Sequence, residues 1–120
     1  MMALHYNLAK VYALSENDPE FVQQIINLFV SEIPLDLEHI KQGIEDKNHQ
    51  QCYEYAHKIK PSLDLMGLNL AFEEMLQIES WSKSDGKKKE IKEIFKSVSH
   101  QIEKAIKEIK KDFNLKIVNS

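Results

Sequence analysis

The sequence is short of the residues that staple or interrupt a chain. It contains one cysteine, Cys52, so no disulfide framework and no paired-thiol or Cys/His zinc site can form, and a reducing compartment is expected. Three prolines and three glycines in 120 residues leave few breaks, and together with abundant Ile, Leu, Lys and Glu this scarcity favours helices over strands. No stretch approaches the roughly 20 apolar residues of a membrane span. The first residues, Met1 to Tyr6, lack both the basic flank and the apolar run of a secretion signal. An excess of positive charge is missing too: the net charge is −3, which argues against a nucleic-acid surface, and the lysines of the last third read as a solvated helix face. A cytoplasmic protein without nucleic-acid or membrane partners is the expectation.

What is present is helical periodicity. Hydrophobic residues at 42% and charged residues at 29% describe a globular chain, and 120 residues make one domain with a modest core. Asn7 can cap a short helix through Val11 and Leu14. Asp18 and Pro19 form an N-cap and N1 pair that opens a long helix in which Val22, Ile25, Phe29, Ile33, Leu37, Ile40 and Ile44 keep a spacing of three and four. The spacing crosses Pro34, where a kink is expected because the carbonyl of Val30 loses its partner. A third helix spans 48 to 66, with Gly67 as the residue that closes it. Asn69 is the candidate cap of a fourth, carrying Leu70, Phe72, Met75, Leu76, Ile78 and Trp81. After the loop Ser82 to Gly86 a fifth runs from Lys87 to Phe113 on Ile91, Ile94, Phe95, Val98, Ile102, Ala105 and Ile109. The pattern predicts an all-α fold: an antiparallel four-helix bundle with a short extra N-terminal helix. It forms a single domain over 1–120, with a core at about 6–113 and a frayed tail at 114–120.

The third helix carries the chemistry. Cys52, Ala56, Ile59, Leu63 and Met66 define its apolar seam, and at about 100° per residue His57 points roughly 150° away from that seam. Such a histidine does not fill a core. A neutral imidazole, with an ordinary pKa of about 6.5, is a competent nucleophile near neutral pH. Residues three and four apart share a helix surface, so Tyr53, Glu54, Lys60, Pro61 and Asp64 surround the ring, with Lys58 on the far flank. Lys60 puts positive charge where a phosphoryl group would sit.

Ala56-His57-Lys58-Ile59-Lys60-Pro61-Ser62, followed by Gly67, resembles the Ala-His-x-Leu-Lys-Gly-Ser motif of histidine phosphotransfer domains. The resemblance extends over the helix from Asp18 to Pro34 and over the segment from Gly67 to Glu79, in register from about 6 to 113. One departure is plain: Pro61 stands where the family has glycine. The resemblance implies that His57 accepts a phosphoryl group from the aspartate of one receiver domain, or from a hybrid histidine kinase, and passes it to the receiver of a response regulator. The chain would then be a phosphocarrier, not an enzyme with its own turnover. It would need no cofactor, since Mg²⁺ would sit on the partner receiver, and it would work as a monomer. These residues include no kinase or receiver segment, and the expectation is that the phosphate comes from another protein. Lys60 would neutralise the phosphoryl charge, Lys58 would draw an acidic partner, Glu54 would fix the ring's tautomer, and Pro61 would bend the helix beneath the histidine.

Two other readings fit the same residues. A bundle in which Pro61 has ended transfer would be an adaptor that docks a receiver or kinase without carrying phosphate. Glu54-x-x-His57 also matches half of a di-iron site, but the only echo is Asp36-x-x-His39, and an outward His57 is wrongly placed for it. His5, His39, His49 and His100 read as solvated surface residues, Ser62 as a packing residue and Gly67 as structural.

Overall fold

The computed structural model describes residues 4–114. Among the described residues the chain is all-helical: α1 (Ala9–Leu14), α2 (Pro19–Glu45), α3 (His49–Leu65), α4 (Asn69–Lys83) and α5 (Lys88–Asp112). Of the expected tail, 115–120 lie outside the described residues, as do residues 1–3 at the other end. Most helices start where the sequence supplies an acceptor for their orphan N–H groups. The Asp18 carboxylate accepts from the Glu20 amide at 3.0 Å, with Pro19 in the first turn. Asn48 Oδ1 accepts from the Gln51 amide at 3.1 Å, and Glu90 reaches back to the Lys87 amide at 2.6 Å.

Two caps differ from expectation. Asn69 is the first helical residue of α4, and the cap position falls to Leu68, which has no side-chain acceptor. Asn7 does cap α1, but from one residue further out: its Oδ1 accepts from the Ala9 amide at 2.8 Å while Leu8 holds the cap position.

Both interior prolines are accommodated without ending a helix, since α2 continues across Pro34 and α3 across Pro61. Each sits on the exposed face, the side on which water can reach the carbonyl that the missing N–H leaves free. In α3 the neighbouring Ile59 and Leu63 are completely buried. At about 1.5–3 kcal/mol for each such side chain, their burial outweighs the roughly 3 kcal/mol that proline costs a helix interior.

Neighbouring helices pack in sequence, α2 on α3, α3 on α4 and α4 on α5, and α5 also touches α2. The cross-links between α2 and α3 climb one helix as they descend the other: Cys52 Sγ lies 3.7 Å from the Ile40 carbonyl, and Lys58 meets Asp36. Gly43 permits this approach, because a Cβ there would come within 2.8 Å of Cys52 Sγ. Gly67 closes α3 with φ +73°, the left-handed geometry that glycine adopts freely. A side chain there would meet Asn7, whose amide donates to the Met66 carbonyl at 2.9 Å.

The core differs from the periodic reading at its margins. Ile26 is buried while Ile25 is only half-buried, Ile106 joins the core, and Ile94 and Phe95 lie at its edge. In α4 the buried line is Ala71, Met75, Ile78 and Ser82. Leu70 falls one residue off that line and is 64% exposed.

Candidate functional site: His57 and its carboxylate

The inner face of α3 is occupied by Cys52, Ala56, Ile59 and Leu63, which leaves His57 outside with 64% of its side chain exposed. The ring is held at one nitrogen. His57 Nδ1 lies 2.8 Å from Oε2 of Glu79 on α4, and the other oxygen, Oε1, accepts from Lys60 Nζ at 2.8 Å. A carboxylate can only accept, so Nδ1 carries the proton. The lone pair therefore resides on Nε2, which has no hydrogen-bond partner among the described residues. Glu79 is almost fully buried. Burial alone would raise its pKa, but the hydrogen bonds from Lys60 and His57, with the charge behind them, more than offset this and hold it below the ordinary carboxylate value.

The other residues singled out in the sequence are distributed around this group. Lys60 is drawn in beside Glu79 and only 17% exposed. Lys58 points to the opposite flank, where its ammonium meets the buried Asp36 at 2.9 Å. That bond, with the Asp36 charge, raises the Lys58 pKa. The ring contact expected of Glu54 falls to Glu79, because Glu54 is taken by Gln50 Nε2 on its own helix at 2.8 Å. Pro61 is exposed on the outer face one turn after His57, and Ser62 is half-buried. Tyr53, one turn before, stacks on the imidazole at 5.8 Å and 11° between the planes. Gly67 is remote from the ring and acts through the chain turn it makes possible.

A sequence profile of the Hpt domain matches residues 24–112, well over half of the chain. The chain belongs to the Hpt family. Comparisons with curated proteins and with solved structures returned no significant match. The matched segment begins inside α2, so α1 and the Asp18 cap lie outside it. Hpt domains are phosphocarriers that work with receiver domains and histidine kinases, which assigns this chain to two-component phosphorelay signalling. Among the described residues no helix is long and apolar enough to cross a membrane.

The Hpt site contains one residue that the sequence reading passed over. Glu79 enters the sequence pattern only as the end of the segment after Gly67, with no role at the ring, yet it lies four residues after Met75 and one after Ile78, both fully buried, so helical spacing already placed a carboxylate beside the apolar seam. Asp36 follows the same rule, three residues after Ile33 and four before Ile40. His49 also departs from the solvated reading. Its Nε2 bonds the Gly86 carbonyl at 2.8 Å and its ring packs on Trp81 at 4.8 Å, which ties the start of α3 to the loop before α5. His39 stacks on Tyr55 and His5 lies near Glu108, while His100 is exposed.

Proposed function

We propose that this Hpt domain carries a phosphoryl group on Nε2 of His57, received from the aspartyl phosphate of a receiver or from a hybrid histidine kinase and delivered to the receiver of a response regulator. The observation that carries the reading is the exposed ring fixed by Glu79 at Nδ1, which presents one free nitrogen to solvent. In the step itself the Nε2 lone pair attacks phosphorus and an N–P bond forms as the acyl P–O bond breaks. The leaving carboxylate keeps the electron pair. The ring gains positive charge, which the Glu79 carboxylate faces at Nδ1, while Lys60 stands one turn away to meet the phosphoryl oxygens. Such transfer depends on placement and charge rather than covalent work by the protein. Mg²⁺ belongs to the receiver's acidic pocket, and this chain needs no cofactor of its own.

The docking rim follows from α2. Phe21, Leu28 and Leu35 are exposed and spaced by seven, so they share one face of the helix. A groove of about 250 Å³ lined by Ile25, Leu28, Lys58 and Leu65 connects that face to α3. An apolar stripe ending near an exposed phosphoacceptor suits a receiver surface. We read the four long helices as an antiparallel bundle, supported by the opposed order of the α2–α3 cross-links, and the protein as a cytoplasmic monomer. Incubation with phosphorylated receiver domains tests the function. Acid-labile, base-stable label is expected on the wild type and none on His57→Gln. Binding of a receiver with no label on the wild type would leave an adaptor in place of a carrier.

A further inference from the structure

Three lysines lie on the residues and flanks that border His57, and the two on α3 are committed. Lys60 is bonded to Glu79 and Lys58 to Asp36. The third is Lys83, one turn beyond Glu79 on the same flank of α4. Its ammonium lies 5.1 Å from the centre of the Tyr53 ring, and Tyr53 is the ring that stacks on His57. Lys83 is exposed and makes no ion pair among the described residues.

The sequence sharpens the point. Every one of its 16 basic residues is a lysine, so no guanidinium fork can clasp a phosphoryl group, which must be met by separate point charges. Lys60 shares its charge with a buried carboxylate. A cation held only by the face of a half-buried aromatic ring is weakly held and has a flexible stem with which to move.

We propose that Lys83 is a second phosphoryl-binding side chain: it rests on Tyr53 while His57 is unmodified, and moves to the phosphoryl oxygens when Nε2 carries the group. The proposal builds on the phosphocarrier reading, with Tyr53 as the positioning residue that keeps the ammonium beside the ring. Lys83 breaks no bond and moves no proton; it stabilises the phosphorylated state once formed.

The test is the equilibrium distribution of label between this chain and a receiver that phosphorylates it, at concentrations low enough that the two are mostly unbound. A residue needed only for docking changes the rate of approach to that equilibrium and not its position. Lys83→Gln is expected to shift the distribution about threefold toward the receiver, the size of a partly screened surface ion pair. Lys83→Arg should restore it, and added salt should shift the wild type more than Lys83→Gln. The Tyr53 ring resonances, which respond to the stacked His57 ring in any variant, should move further on phosphorylation in the wild type than in Lys83→Gln. An unchanged distribution in Lys83→Gln, with His57 labelled normally, overturns the role of Lys83 alone. Absence of label on the wild type overturns both readings.

Discussion

The two flanks of α3 use the same pair of residue types for different ends. Toward α2, Lys58 meets Asp36; toward α4, Lys60 meets Glu79; and in both the lysine lies within 2.9 Å of a carboxylate buried by its own helix. The Asp36 pair is closed, because one oxygen takes the ammonium and no titrating ring competes for it, so its role is to pin α2 to α3. The Glu79 pair is open, since the carboxylate divides its two oxygens between Lys60 and His57. The difference between a structural ion pair and a poised site thus rests on a single additional partner. That partner is presented by the solvent face of the helix whose other side forms the core.

The contrast can be broken from either side, and the largest effect is expected at the lysines. Lys60→Gln should slow phosphoryl transfer onto His57 by about 10²-fold, the usual cost of losing one charge that meets developing negative charge. Lys58→Gln should change the rate by less than about threefold, as expected of rim charges. Its effect should appear instead as a lower urea midpoint, because it leaves Asp36 buried without its cation. Paired transfer rates and urea curves for the two variants check both halves.

Glu79→Gln should act on rate and on pH dependence together. Transfer is expected to fall about tenfold, since an amide oxygen still accepts from Nδ1–H but no longer faces the charged ring with a full negative charge. The Glu79 pKa is lower in the folded protein than its ordinary value. Its contribution to stability is therefore complete above about pH 4.5 and is lost as pH falls through the lower folded value. The stability gap between wild type and Glu79→Gln should accordingly shrink between pH 5 and pH 3, at rough settings that bracket the carboxylate range. Denaturation curves at the two values measure it.

The smallest effect is expected at Pro61, which lies on neither flank but on the outer face between them. Pro61→Gly should alter transfer rates about threefold for at least one receiver, by changing how the backbone under His57 sits in the docked complex. Rates unchanged for every receiver would leave the proline with no role in partner choice.

Much of this was legible in the residues alone. Apolar spacing located all five helices, and Asp18-Pro19 and Gly67 marked boundaries, because caps and left-handed closures depend on chemistry within a few residues. The outward placement of His57 followed from the seam of its own helix. Its carboxylate partner did not, because Glu79 lies 22 residues away and the pairing depends on how α3 and α4 dock. Glu54 was the nearer choice only along the helix. The same limit hid His49, which is solvated in an isolated helix and becomes half-buried only once the loop at Gly86 folds over it.

Cys52 has a consequence of a different kind. It is the only thiol in the chain, it is completely buried beneath Gly43, and burial pushes its pKa up to about 11. An alkylating reagent therefore encounters no reactive sulfur while α2 and α3 stay together. The slow consumption of such a reagent counts the moments at which the two helices separate. The chain thus carries an internal clock for the opening of the helix pair that presents His57, read at a residue with no part in the transfer itself.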